Sequence, residues 1–123
     1  MERISVLLVD DDLDQRNVVA AMLEVEGYAS TACGSALDAL ALLEDGEQFD
    51  LVISDVVMPG LDGFDFAARI RQLRPIPVVF VTGKASAVER IVANGHLALL
   101  KPFGGTVLRA VLEECIGRPQ SAP

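Results

Sequence analysis

Short apolar runs alternate along this chain with longer segments that carry apolar residues at helical spacing. Apolar runs of about four residues, bounded by polar residues or by Gly and Pro, are typical of strands buried on both faces of a parallel sheet. The pattern predicts five strands, at Ile4–Val9, Tyr28–Cys33, Leu51–Ser54, Val78–Val81 and Leu97–Leu100.

The segments between these runs have the start and stop signals of helices. Helices are predicted over Asp14–Glu26, from a cap at Ser35 to Asp45, over Asp62–Leu73, from Ser86 to Asn94, and over Thr106–Ile116. Ser35 has Asp38 three residues later, and Ser86 has Glu89, so each pair is predicted to form a capping box. Gly27 follows the first helix, as expected at a helix C-terminus.

Strict alternation of five strands and five helices predicts an α/β protein: one open parallel sheet with helices on both faces and right-handed crossovers. The strand order 2-1-3-4-5 places strands one and three at the switch point, where ligands bind. Periodicity alone leaves the order 3-2-1-4-5 open. The length of 123 residues suits a single domain.

Residues that bind phosphate or metal follow four of the predicted strands. Asp10 and Asp11 follow the first strand, Asp55 the third, Thr82 the fourth and Lys101 the fifth. The carboxyl ends of parallel strands share one edge, so these side chains are expected to meet there. Carboxylates about 5 Å apart repel by roughly 3 kcal/mol at an effective dielectric constant near 20. A raised pKa, a basic partner or a bound cation must compensate, and an oxygen-rich site suits Mg²⁺.

A simpler interpretation of the acidic run is that its residues only favour the positive end of the following helix. That accounts for Asp12 and Asp14. It accounts less well for Asp10 and Asp11, which follow directly on a buried strand, and for Asp55 in the same position after another strand.

Net charge and composition exclude several classes of function. With 18 acidic and 10 basic side chains the net charge is −8, which argues against direct binding of nucleic acid or of an anionic membrane. No apolar run is long enough to span a bilayer, and no signal peptide is expected before the first strand. A cytoplasmic protein is therefore expected.

Several residues have a more ordinary interpretation. Cys33 and Cys115 are expected to be buried thiols in a reducing compartment, and a Cys/His zinc site is improbable with a single His. His96 is expected to be a solvated loop residue. Met58 and Phe103 are expected to pack rather than to contact a ligand.

Together these residues closely resemble the receiver domain of bacterial two-component response regulators. The resemblance spans essentially the whole chain and rests on four segments, which are 9–12 (VDDD), 53–63 (ISDVVMPGLDG), 81–83 (VTG) and 101–103 (KPF). It implies a flavodoxin-like sheet of five parallel strands in the order 2-1-3-4-5.

The resemblance also implies a role for each site residue. Asp55 would be the phosphoacceptor and take a phosphoryl group from a phosphohistidine of a sensor histidine kinase or a phosphotransfer protein. Lys101, joined to Pro102 by a cis peptide bond, and Thr82 would each bind a phosphoryl oxygen.

The same resemblance implies a magnesium site. Asp10 and Asp11 match the acidic pair that binds Mg²⁺ in the family, with Asp11 as the more direct ligand. Asp55 and the backbone carbonyl of Val57 would complete the set of protein ligands.

The chain departs from the family pattern in two places. Ala98 occupies a position that is aromatic in many receivers, so the aromatic half of the usual switch is missing. The interval from Thr82 to Lys101 is about three residues short, which predicts a fourth helix shortened by nearly a turn. Signalling is therefore predicted to use another surface, such as the first helix, or a reshaped fourth-helix region.

Two flanking positions bear on the lifetime of the phosphoryl group. In the family, polar residues two places after the phosphoacceptor and two places after the Thr help water attack the acyl phosphate. These positions are Val57 and Lys84 here, and Val57 cannot hydrogen-bond to water. A long-lived phosphoryl group is predicted.

The leading hypothesis is a stand-alone receiver spanning residues 1–117, with a flexible tail at 118–123. It would be monomeric or weakly dimeric, would bind a downstream protein, and would not be a conventional turnover enzyme. Three alternatives stay open: a receiver excised from a hybrid histidine kinase, a receiver-like module that works without phosphorylation, and a Mg²⁺-dependent phosphohydrolase. The spacing of Asp10 and Asp12 suits the nucleophile and acid of such a phosphohydrolase.

Overall fold

A computed structural model describes residues 3–117 of the chain. Strands and helices alternate as predicted, and the order of the sheet is β2-β1-β3-β4-β5 with every neighbouring pair parallel. This confirms the 2-1-3-4-5 order and rules out 3-2-1-4-5. The strands are β1 (Ser5–Val9), β2 (Ala29–Cys33), β3 (Leu51–Asp55), β4 (Val78–Thr82) and β5 (Leu97–Leu100). The helices are α1 (Leu13–Val25), α2 (Ala36–Glu44), α3 (Gly63–Leu73), α4 (Ala85–Ala93) and α5 (Gly105–Gly117).

Two buried apolar clusters lie on opposite faces of the sheet. In the first cluster, residues of β1, β3 and β4 pack against α2 and α3, and the buried ring of Phe66 belongs to it. In the second cluster, the same strands pack against α1 and α5, and Leu112 belongs to it. Since β1, β3 and most of β4 are buried on both faces, their residues form continuous apolar runs. Cys33 and Cys115 are both buried, as expected, and neither is in a disulfide.

Capping residues fix where most of the helices begin. The hydroxyl of Ser35 accepts the N–H of Asp38 at 3.1 Å, as predicted, and the carboxylate of Asp62 accepts the N–H of Phe64 at 2.8 Å. The capping box predicted at Ser86 is wrong. The fourth helix begins earlier, at Ala85, and its N-cap residue Lys84 makes no side-chain capping bond.

Side-chain placement corrects one expectation and confirms two. His96, expected to be solvated, is half-buried and packs edge-on against Phe80 with ring centroids 5.1 Å apart. Burial lowers the pKa of His96 below 6.5, and the charge of Arg71 adds to the effect. Met58 is buried in the core and Phe103 packs against the second cluster, as expected. The tail predicted at 118–123 lies outside the described residues.

Candidate functional site

The acidic run that follows β1 turns away from the sheet through hydrogen bonds to Asp10. One carboxylate oxygen of Asp10 accepts the N–H of Asp12 at 2.9 Å, and its carbonyl accepts a guanidinium N–H of Arg16 at 3.2 Å. Asp10 is only 5 % exposed, whereas Asp11 projects into solvent. Asp12 is the N-cap residue of α1 and accepts the N–H of Gln15 at 3.0 Å. These bonds fix the buried carboxylate at the edge of the sheet.

Asp55 is the last residue of β3, which lies next to β1, so the two strands bring distant carboxylates together. One oxygen from each of Asp10, Asp11 and Asp55 lies within 4.8 Å of the other two. The convergence predicted from strand ends is therefore present in the structure. Asp12 caps α1 and is not one of the three carboxylates that converge here, which does not support its predicted pairing with Asp10 in a phosphohydrolase.

The surroundings of Asp55 favour its neutral form. Burial, followed by the hydrogen bond and the negative charge of Asp10, raises the pKa of Asp55 from 3.8 to about 7, although Lys101 acts in the opposite direction. Strongly shifted pKa values cluster at functional sites, so this one marks Asp55 as a candidate functional residue.

Lys101 brings positive charge to the same carboxylate. Its Nζ lies 3.5 Å from Oδ1 of Asp55 and also donates to Oε1 of Gln15. The backbone N–H of Lys101 donates to the carbonyl of Thr82 at 2.8 Å, which fixes where the side chain leaves β5. The peptide bond to Pro102 is cis, as the family resemblance implied.

Thr82 ends β4 and is buried, with 6 % of its surface exposed. Its hydroxyl oxygen accepts the N–H of Lys84 at 3.1 Å. A hydroxyl that accepts one bond keeps its own hydrogen to donate, so Thr82 has a donor available for an anionic oxygen.

The loop between β3 and α3 is held close to the carboxylate of Asp55. The hydroxyl of Ser54 has two acceptors within reach of its one hydrogen, the carbonyl of Asp55 at 2.9 Å and the sulfur of Met58 at 3.7 Å. Gly63 packs so tightly against the loop that a Cβ there would lie 2.6 Å from the carbonyl oxygen of Val56. Val57 lies in this loop with 81 % of its surface exposed, so its side chain has no part in the core.

The residues that gather at this edge suit a hard divalent cation. Three carboxylates offer oxygens at close range, one of them is almost fully buried, and the pKa of another is raised by burial and by the neighbouring Asp10. Oxygen-rich sites with one or two direct carboxylate ligands suit Mg²⁺. The donor set therefore fits the magnesium ion that the resemblance implied.

Gln15 is the site residue to which the sequence analysis gave no role. It is exposed on the first turn of α1, yet its side chain accepts a hydrogen bond from the ammonium of Lys101. Its spacing from Asp12 is that of a capping box, and this was the only sequence signal that could have drawn attention to it.

Comparison with known proteins identifies the family. The sequence model described as "Response regulator receiver domain" matches residues 6–113. The chain belongs to the response regulator receiver family. It is thus a receiver domain of a two-component system, a signalling domain and not a conventional enzyme.

Curated relatives agree with this assignment. The receiver is 35 % identical to an uncharacterized 14.6 kDa protein of Leptolyngbya boryana, over 99 % of this chain and 98 % of that protein. It is 31 % identical to the transcriptional regulatory protein CpxR homolog of Haemophilus influenzae, over 94 % of this chain and 51 % of that protein. The receiver thus spans about half the length of the CpxR-type relatives it matches.

Solved structures agree as well. The chemotaxis protein CheY4 of Vibrio cholerae is 30 % identical and superposes with a TM-score of 0.79, covering 93 % of this chain and 99 % of that one. A putative response regulator of Chloroflexus aurantiacus is 28 % identical with a TM-score of 0.85, covering 95 % of this chain and all (100 %) of that one. Within residues 3–117, no helix is long and apolar enough to cross a membrane.

Proposed function

We propose that Asp55 is the phosphoacceptor of this receiver. A carboxylate oxygen of Asp55 attacks the phosphorus of a phosphohistidine on a sensor histidine kinase or a phosphotransfer protein. The new O–P bond forms as the P–N bond breaks, and the electron pair of that bond stays on the imidazole, whose ring must be protonated on its other nitrogen to leave as a neutral group. The product is an acyl phosphate on Asp55 and a neutral histidine on the donor.

The observation that carries this proposal is the position of the Asp55 carboxylate. It lies at the switch point of the sheet, within 4.8 Å of two other carboxylate oxygens and 3.5 Å from the ammonium of Lys101. Phosphoryl transfer needs positioning and charge neutralisation more than covalent chemistry from the protein. Lys101 supplies positive charge for one phosphoryl oxygen, and the hydroxyl of Thr82 supplies a hydrogen-bond donor for another.

Mg²⁺ would be held by Asp10, Asp11, Asp55 and the backbone carbonyl of Val57. The bound ion would neutralise negative charge on the carboxylates and on the incoming phosphoryl group. Asp10 contributes a fixed oxygen, because its other bonds hold it at the end of β1. Asp11, which is exposed, stays free to adjust to the ion.

We further propose that the phosphorylated receiver changes its binding to a downstream protein in the cytoplasm and works as a monomer or weak dimer. The exposed side chain of Val57 offers no hydrogen bond to an attacking water, which supports the prediction of a long-lived phosphoryl group. Ala98 pairs with Phe80 across the sheet, so no aromatic side chain is present at that position of β5 to reorient on phosphorylation.

The proposal is tested by incubating the protein with acetyl phosphate and Mg²⁺ and measuring its intact mass. We expect one added phosphoryl group that is labile to base, absent when the metal is chelated, and absent in Asp55→Asn. A matched control is Asp45→Asn, an exposed aspartate at the end of α2, which should be phosphorylated like the wild type. An adduct that persists in Asp55→Asn would show that another residue is the acceptor.

A further inference from the structure

The ammonium of Lys101 lies between two acceptors of different charge. One is the carboxylate of Asp55, at 3.5 Å, and the other is the amide oxygen of Gln15 on the first turn of α1. An ammonium carries three N–H donors and accepts no hydrogen bonds, so it is the amide oxygen, not the amide nitrogen, that faces it. The head of this flexible side chain is therefore held from two sides.

Gln15 is available for this contact because of the hydrogen bonds around it. A Gln three residues after an N-cap residue normally reaches back to the N–H of that cap. Here the N–H of Asp12 already donates to the carboxylate of Asp10 at 2.9 Å. The side chain of Gln15 is thereby diverted across the site to Lys101.

Among residues 3–117, the ion pair and the side-chain hydrogen bond of this ammonium are with Asp55 and Gln15. Gln15 and Lys101 also line a cavity of about 340 Å³ with Asp14, Val18, Met22 and Phe103. Asp14 is the one carboxylate in this wall, and the ion pair and hydrogen bond of the ammonium go to Asp55 and Gln15 instead. Gln15 is thus the acceptor that holds the ammonium on the α1 side.

We infer that Gln15 is a positioning residue that holds the Lys101 ammonium beside Asp55 ready for an incoming phosphoryl group. The inference rests on the proposed function of Asp55. A neutral amide suits this task because it adds no negative charge to a cluster that already holds three carboxylates. It also releases the ammonium readily, since a hydrogen bond to a neutral acceptor is weaker than one to an anionic phosphoryl oxygen.

The experiment compares three variants. Gln15→Met keeps the length of the side chain and removes the acceptor, whereas Gln15→Glu keeps an acceptor and adds a negative charge. Asn17→Met makes a similar amide-to-thioether change at an exposed position of α1 and serves as the control. Far-UV circular dichroism checks that all three fold.

The first readout is the ammonium signal of Lys101 in ¹H–¹⁵N spectra of the metal-free protein. The chain has only two lysines, and the exposed Lys84 serves as an internal reference. We expect exchange of the Lys101 ammonium protons with water to be slow in the wild type, Gln15→Glu and Asn17→Met, and fast in Gln15→Met. An unchanged shift and exchange rate in Gln15→Met would overturn the inference.

The second readout is the initial rate of phosphorylation by acetyl phosphate with Mg²⁺. Loss of a hydrogen bond of this kind should slow Gln15→Met by about three- to tenfold, and Gln15→Glu should also be slowed because its charge competes for the ammonium. A rate for Gln15→Met within about twofold of that of the wild type would reject the positioning role. A wild type that is not phosphorylated at all would instead reject the proposed function, while the ammonium signal would still test the contact with Gln15.

Discussion

Replacing Asp55 by Asn should stabilise the metal-free receiver at neutral pH, although it removes an ion pair. The carboxylate is crowded by two others within 4.8 Å and is partly buried, with 16 % of its side chain exposed. Asn is nearly the same size as Asp, keeps one acceptor oxygen, replaces the other by an NH₂ donor, and cannot ionise. The substitution therefore removes the charge whose burial and repulsion oppose folding.

The magnitude follows from the pKa of Asp55. A rise from 3.8 to about 7 corresponds to about 4 kcal/mol of unfavourable free energy at pH values above both. Burial of the carboxylate and repulsion from Asp10, about 3 kcal/mol, make the ionised form unfavourable. Attraction to the partly exposed Lys101 at 3.5 Å, which solvent weakens, opposes them. After allowance for screening, a net gain of about 1–3 kcal/mol is expected for Asp55→Asn.

Urea unfolding followed by far-UV circular dichroism, with a chelator present, measures this gain. Between pH 3.8 and about 7 the folded state binds more protons at Asp55 than the unfolded state, so the stability of the wild type falls as pH rises through that range. The Asp55→Asn variant lacks this dependence because an amide side chain does not titrate. The difference between the two proteins should therefore be largest at pH 7.5 and should shrink at pH 5.

Mg²⁺ gives an independent check. A ligand that binds only the folded state, at a concentration ten times its dissociation constant, raises the free energy of unfolding by about 1.4 kcal/mol. Mg²⁺ should stabilise Asp55→Asn by less than the wild type, because the variant lacks one carboxylate. The exposed control Asp45→Asn should show no pH-dependent difference from the wild type between pH 5 and 7.5. An Asp55→Asn variant that is no more stable than the wild type at pH 7.5 would refute this account of the site.

Three smaller predictions concern the scaffold. In the Asp55→Asn background, lowering the pH below 6.5 should destabilise the protein through His96. Its pKa is lowered on folding, so the unfolded state takes up a proton at a higher pH than the folded state does. The additional substitution His96→Asn should abolish this part of the pH dependence in urea unfolding. Gly63→Ala should lower the free energy of unfolding by about 1–3 kcal/mol in the same assay, because the new Cβ would lie 2.6 Å from a loop carbonyl oxygen. Gly83→Ala should lower it by less, because a Cβ at that position has no atom within 4 Å. Ser35→Ala should lower thermal stability by about 1 kcal/mol through loss of the helix cap, and an unchanged melting temperature would contradict the role of that cap.

Much of the fold followed from the sequence because its signals were local and agreed with one another. Strands buried on both faces leave unmistakable apolar runs, and the cap at Ser35 marked the start of α2 correctly. The order of the sheet was not fixed by periodicity, since pairing between strands is a long-range property. Only the resemblance to the receiver family selected the order that the structure shows.

The errors arose where tertiary contacts outweighed local signals. Ser86 and Glu89 have capping-box spacing, but α4 begins at Ala85, because the hydroxyl of Thr82 accepts the N–H of Lys84 and turns the chain earlier. His96 is expected from the sequence to be a solvated loop residue, but it directly precedes β5. The pairing of β5 with β4 places its ring beside Phe80.

The sequence predicted which residues form the site, but not whether its positive or its negative charges dominate at Asp55. Spacing and strand ends indicated that Asp10, Asp11, Asp55 and Lys101 would meet, yet only the distances show which charge prevails. With Lys101 already 3.5 Å away, the pKa of Asp55 still lies near 7, so one ammonium does not keep this carboxylate fully ionised at neutral pH. The phosphoryl transfer proposed for Asp55 needs its ionised form, and the nearest carboxylates are those of Asp10 and Asp11. We therefore expect a cation bound at these carboxylates to favour the ionised form of Asp55, and the crowding that would attract this cation to destabilise the metal-free fold.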